Sequence, residues 1–370
     1  MSIETLVEIS RHYGVNPDYI LAGGGNTSWK DEETLYVKAS GFSLADATAD
    51  SFVKMDRTAL ARIWEKTYPE SDAERESAVL SDMMAAKKAG EGQKRPSVEA
   101  LLHDLLPFPF VIHLHPALIN GLTCSRRGEE LTAEIFGAEV IWVPITNPGY
   151  ILAKTVKTAM DAYCAAHGKP AALIFLQNHG IFVGHNSIDG VKELYGGIMQ
   201  KIGSNIKRHP DFYDEKRLSA GAPIDEIVKT LTELAGAAVF MQGGEITAFV
   251  KDRASFAPVS SAFTPDHIVY AGSDPLFTEA AGTDAIRDAW KAHAEKTGRA
   301  PKIVAVQGLG VFSAAATEKA ACLALDLFRD TIKVAVYTES FGGPLFMTAD
   351  KIDFINNWEV ERFRASVSTK

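Results

Sequence analysis

The chain has 370 residues, enough for two domains that each bury a core. Apolar residues make up 46% and charged residues 23%, ordinary for a water-soluble globular protein. The formal net charge of −9 argues against a nucleic-acid or anionic-membrane binder, but leaves room for a small anionic substrate held by local amides or a metal.

In chain order, MSIETLVEISRHYG reads as an amphipathic helix, with Glu4 and Glu8 where a signal peptide would carry its apolar core. Leu21 to Asn26 leads into the glycine-rich turn GGGNTSWK, and TLYVKAS (Thr34 to Ser40) alternates like a half-buried strand. MDRTALARIWEKTYP and ESAVLSDMMAAKK carry apolar residues at helical spacing, and GEGQKRPS is a polar loop. SVEALLHDLLP reads as a helix stopped by Pro107, with Ser97 as its candidate N-cap. Three strand-like runs come next, PFVIHLH, AEVIWVPI and AALIFLQ, and then a closing helix within Ser187 to Arg208. This mixed order predicts an α/β layered domain over residues 1–210. No run of about 18 apolar residues occurs, so no membrane span is expected. Three widely spaced cysteines form no CxxC pair, which fits a reducing cytoplasm and excludes a disulfide framework.

RHPDFYDEKRLSAGAPI (Arg208 to Ile224) is polar and contains proline, and reads as a linker to a second domain over 223–370. Laying Ala171–Ile202 over Pro301–Ile332, an offset of 130 residues, aligns Gln177 with Gln307, Gly180 with Gly310 and Phe182 with Phe312. A strand–turn–strand–helix pattern recurs, so the second domain reads as a diverged copy of the first. Leu309 falls on His179. A looser overlay sets VIHLH (Val111 to His115) on IVYAG (Ile268 to Gly272), with Tyr270 and Gly272 at the places of the paired histidines.

Chemistry concentrates in the first domain. On a strand, His113 and His115 of PFVIHLHP lie on one face and can converge on one ion. A lone His-x-His also fits paired surface or core histidines. QNHGIFVG supplies a third imidazole, His179, at a strand end before Gly180, where a turn residue capping the backbone is the structural alternative. Three histidines leave the fourth zinc position open, which is the catalytic arrangement. Glu99, near the start of SVEALLHDLLP, is either a helix-terminus charge or a carboxylate that moves protons beside the metal. In GGGNTS and at Ser40-Gly41, glycine lets main-chain amides approach a phosphate while Asn and Ser offer neutral donors.

In this order the motifs resemble the class II aldolase/adducin family. GGGNTS is similar to its Gly-Asn-Thr/Ser-Ser loop, ASG to its Ser/Thr-Gly turn, RPSVE to its Ser-Ser-Glu element, and HLH and NHG to its zinc motifs. The resemblance covers roughly residues 20–200. SVEALLHDLLP and the C-terminal extension look most like the aldolase portion of long rhamnulose-1-phosphate aldolases. Some of those carry a fused dehydrogenase, which is not expected here. The resemblance implies a class II aldolase-like layered αβα domain followed by a second, diverged aldolase-like α/β domain.

It further implies Zn2+ held by His113, His115 and His179, with Glu99 as the acid/base. Asn26, Ser40, Gly41 and Ser97 would hold the phosphate of a small-molecule sugar phosphate. Two departures stand out. Val98 replaces the second serine of the Ser-Ser-Glu element, and no tyrosine matches the one that serves the departing aldehyde, for which Tyr150 in NPGY is the candidate.

The implied reaction is cleavage of a ketose 1-phosphate to dihydroxyacetone phosphate and an aldehyde. A dehydratase or decarboxylase of sugar derivatives would use the same histidines. A 4-epimerase fits less well, because it usually has aspartate at position 99. A non-catalytic adducin-like interaction module would have lost the histidines that this chain keeps. A cytoplasmic homo-oligomer, dimer or tetramer, is the expected assembly.

Overall fold

A computed structural model describes residues 3–217 and 221–368, so Leu218–Ala220 of the expected linker lie outside the described residues. The chain divides into two compact units. One comprises the chain through Thr123, Gly128–Asn205 and Asn357–Arg364; the other takes Cys124–Arg127, Ile206–Asn356 and the chain beyond Arg364. The main switch falls after Asn205, a few residues before the expected linker, and a short C-terminal piece groups with the first unit.

The first unit is a seven-stranded sheet. Its strands are β1 (Asn26–Lys30), β2 (Thr34–Lys38), β3 (Phe52–Asp56), β4 (Phe110–Leu114), β5 (Val140–Val143), β6 (Leu173–Leu176) and β7 (Gly180–His185). They run in the order β3-β2-β1-β4-β7-β6-β5, antiparallel except for β5 with β6. Leu35, Val37, Val111, Ile174 and Phe182 pack with Val79, Leu102 and Val156 of the helices Asp72–Ala85, Ala100–Leu105 and Tyr150–His167. Each such side chain contributes roughly 1.5–3 kcal/mol on burial.

Two local readings change. NTSWK, taken as part of a turn, is strand β1. Ser97 does not cap the helix Ala100–Leu105; Glu99 holds the cap position, and the Ser97 hydroxyl instead accepts from the Glu99 N–H at 3.2 Å. A short side chain bonding two residues ahead delays the helix start.

The second unit carries a four-stranded sheet of β8 (Ala237–Met241), β9 (Leu276–Thr278), β10 (Ile303–Val306) and β11 (Gly310–Ala315), ordered β8-β11-β10-β9. The sub-order β4-β7-β6-β5 of the first unit has the same sense, with one parallel pair at the edge and antiparallel pairs elsewhere. Equivalent hairpins lead to helices capped alike: Ser187 accepts from Gly190 N–H, and Thr317 from Ala320 N–H. Ile224, Ile227 and Leu231, at helical spacing, line the core beneath this sheet with Ile286, Val304 and Phe312.

Strand register corrects the looser overlay. His113 stands opposite Phe182, while Phe240 stands opposite Phe312. Phe240 and Gln242 therefore occupy the places of His113 and His115. Ile268 and Tyr270 lie instead in a π-helix, His267–Ala271, and form no strand. Tyr270 and Gly272 thus do not stand where the paired histidines would be. The apolar run of IVYA fits a buried helix turn as well as a strand, which is why so short a pattern misleads. Among the described residues no helix is long and apolar enough to cross a membrane.

Candidate metal centre

β4 sits between β1 and β7, so its side chains lie mid-sheet. His113 is fully buried and stacks on Phe182 with ring centroids 4.1 Å apart. Its Nδ1–H donates to the Ile181 carbonyl at 3.0 Å, which leaves the lone pair on Nε2. His115 comes next on the same face just past the strand, with its Nε2 2.9 Å from that of His113.

His179 arrives from the tight turn between β6 and β7. Asn178 takes the left-handed conformation there (φ 56°), donating its N–H to the Thr123 carbonyl at 3.1 Å, and the His179 N–H bonds the Leu176 carbonyl at 3.2 Å. Gly180 is required by crowding: a Cβ there would strike the Leu114 carbonyl and lie 2.7 Å from the His115 ring. Gly25, with φ +62°, similarly lets the loop before β1 pass the His113 carbonyl, where a Cβ would lie at 2.8 Å. The three ring centroids are 4.6, 5.0 and 5.1 Å apart, and one ligand nitrogen from each ring lies within 4.8 Å of the others.

Glu99 completes the centre. It is 5% exposed, and its Oε1 lies 3.5 Å from His113 Nε2 and 3.7 Å from His179 Nε2. Its Oε2 accepts from Asn26 Nδ2–H at 2.6 Å, whereas Oε1 has no hydrogen-bond partner among the described residues. A buried carboxylate oxygen left without a donor is costly. Converging imidazole nitrogens beside such an oxygen suit a divalent cation. For tetrahedral zinc, bonds of about 2.0–2.1 Å imply nitrogens about 3.3–3.4 Å apart, between the 2.9 Å His113–His115 spacing and the 4.8 Å that bounds all three. The donor set fits zinc.

A cavity opens beside Glu99. Asn26, Ser40, Gly41 and Ser97, the four residues expected to hold a phosphate, all line it. Three further polar groups escaped the sequence reading. Lys38, 3% exposed, reaches the cavity while its Nζ donates to the Phe42 carbonyl at 2.7 Å. Glu361 lines it from the helix Glu359–Ser368, which Arg95 holds through Glu359 at 3.0 Å and through cation–π contact with Phe363 at 4.3 Å. His103 bonds Asn26 and Ser28 beneath the cavity.

The available signals were the charge two residues before Ser40-Gly41, and the i, i+4 spacing that puts His103 on the Glu99 face of its helix. Tyr150 is not brought to this cluster. It lies in the apolar core with its ring against Trp64 and Tyr68, and its main-chain N–H bonds Glu76 at 3.0 Å. Burial raises its phenol pKa, which does not suit easy proton release.

A Bacillus subtilis (strain 168) protein named "Uncharacterized oxidoreductase YuxG" is 22% identical over 417 residues, covering 99% of this chain and 58% of the relative. The chain thus spans well under two thirds of that relative's length. The solved N-terminal class II aldolase domain of a Thermoplasma acidophilum protein is 26% identical with a TM-score of 0.46, covering 55% of this chain and 93% of its own. L-fuculose-1-phosphate aldolase from Thermus thermophilus is 17% identical with a TM-score of 0.35, covering 55% of this chain and 93% of its own. The family model of the Class II Aldolase and Adducin N-terminal domain matches residues 4–195, more than half of the chain. The chain belongs to that family.

Proposed function

We propose that this chain is a zinc-dependent lyase that cleaves a ketose 1-phosphate into dihydroxyacetone phosphate and an aldehyde. The observation that carries the reading is the Glu99 Oε1, buried and undonated, 3.5 and 3.7 Å from two of three converging imidazoles. Zinc held by the Nε2 atoms of His113, His115 and His179 would supply Lewis-acid polarisation of the substrate's oxygens. Glu99 carries the proton at C3. As the C3–C4 bond breaks, the C4 hydroxyl passes its proton to water or another group and becomes the aldehyde; the carbanion left at C3 takes a proton from the protonated Glu99 carboxyl, which regains one from solvent. In the reverse direction Glu99 removes that proton.

Lys38, Ser40 and Ser97 bind the phosphate, with amides of the glycine turns. Asn26 spends one Nδ2 proton on Glu99 and offers the other to the cavity. Tyr150 has no part in this reading, so the proton on the C4 hydroxyl leaves by another group or by water. The second unit is a diverged copy without metal, because Phe240, Gln242 and Leu309 stand at the three ligand positions. The test is a panel of ketose 1-phosphates, rhamnulose 1-phosphate first, assayed for release of dihydroxyacetone phosphate by the zinc-loaded protein. Release from none of them overturns the reading.

The Glu361 carboxylate shares the cavity with Lys38 and opposes an incoming anion. Glu361→Gln is therefore expected to tighten inorganic phosphate binding about 3–10-fold, up to about 1.4 kcal/mol, by calorimetric titration. Unchanged affinity would place the phosphate elsewhere.

A further inference from the structure

Alternate residues of a strand point to one side, so β1 presents Asn26, Ser28 and Lys30 together. All three are buried, and all three bond the helix Ala100–Leu105 or the residues bounding it. Lys30 Nζ donates to the His103 and Leu106 carbonyls at the helix's C-terminal end. Ser28 Oγ lies 2.7 Å from His103 Nδ1, and Asn26 Oδ1 bonds His103 Nε2. Asn26 Nδ2–H donates to Glu99 Oε2 at 2.6 Å.

The directions of these bonds follow from chemistry. Burial, with the nearby His113 and Lys30, pushes the His103 pKa well below its usual value, so the ring is neutral. An amide oxygen only accepts, so the ring proton sits on Nε2 and Nδ1 accepts from the Ser28 hydroxyl. Donation then runs one way, from Ser28 to His103, from His103 to Asn26, and from Asn26 to Glu99. Reversing Asn26 would set its oxygen 2.6 Å from a carboxylate oxygen, two acceptors facing each other. The order of the chain therefore decides which carboxylate oxygen is tied and which is left facing the imidazoles.

We propose that His103 is a positioning residue for Glu99. Touching neither substrate nor metal, it fixes the orientation of Asn26, which holds Oε2 and leaves Oε1 aimed at His113 and His179. The inference rests on Glu99 being the acid/base.

The test compares His103→Leu, which removes both ring nitrogens, with His103→Gln, which keeps a donor for Asn26 and an acceptor for Ser28. His103→Phe, closer in volume to the imidazole, stands in if the leucine variant does not fold. The readout is exchange of the C3 proton of dihydroxyacetone phosphate with deuterated water by the zinc-loaded full chain, which needs no aldehyde. The leucine variant is expected to exchange on the order of 10²-fold more slowly at saturating dihydroxyacetone phosphate, the scale of a roughly 1 Å misplacement. Zinc content should stay unchanged, affinity for dihydroxyacetone phosphate should fall by no more than about 10-fold, the loss of the one Asn26 donor, and the glutamine variant should recover most of the rate.

Wild-type exchange in the leucine variant, or an equal loss in the glutamine variant, overturns the proposal. If the wild type itself exchanges nothing, the proposed function fails, and crystal structures decide the positioning role separately. Oε1 swung away from the imidazoles in the leucine variant supports it, and an unmoved carboxylate overturns it.

Discussion

Replacing His115 with alanine is expected to strip zinc from the protein and lower turnover by about 10³-fold or more. The size of the loss reflects the ion's contribution: zinc moves the pKa of water from about 15.7 to about 7, worth about 12 kcal/mol at about 1.36 kcal/mol per unit. Two remaining imidazoles form too poor a site to keep it. His179→Ala should behave alike. His113→Ala should lose zinc and also stability, because the imidazole fills a fully buried place on Phe182 and satisfies the Ile181 carbonyl. Losing that hydrogen bond costs about 0.5–1.5 kcal/mol, because the carbonyl also stands in the Leu114–Ile181 pair of the β4–β7 ladder. His115 is only half-buried, so its variant separates metal loss from folding. Metal analysis with turnover on the same sample checks it; full zinc and full turnover would remove His115 from the ligand set.

Glu99→Gln should keep zinc and lose turnover by about 10²–10⁴-fold, or roughly 3–5 kcal/mol. The amide oxygen can still accept from Asn26, so the residue stays in place. Its NH2 would then occupy the position of Oε1, beside His113 and His179, and cannot take a proton. The metal term exceeds the proton-transfer term severalfold, so this variant should retain measurable turnover where His115→Ala does not. Turnover within a few-fold of wild type would make Glu99 a helix-terminus charge only.

The sheet-centre strand β4 was legible because its alternation places two histidines on one face of an otherwise apolar run. The hairpin ending in Gly180 was legible because it occurs twice. β1 was not, since its buried face is Asn26, Ser28 and Lys30, and a pattern that equates buried with apolar assigns those residues to a turn. They are tolerated inside because the helix Ala100–Leu105 returns a polar partner to each. The four residues that line the cavity with Glu99 were picked out by motif, whereas Lys38 reads as the end of a strand. Glu361 comes from the far end of the chain, where no local pattern connects it to the glycine loop. The second unit's residues at the positions of the histidines were partly legible: Leu309 follows from the repeat, but Phe240 emerges only from strand register, because β8 shares little sequence with β4.

The claim that one metal centre does the chemistry meets its most direct test in anomalous scattering from crystals grown with zinc, paired with metal analysis of the protein. The account predicts one zinc per chain, within bonding distance of His113, His115 and His179, and none beside Phe240 and Leu309. Zinc absent from the three histidines, or a second equivalent ion in the other unit, would contradict it.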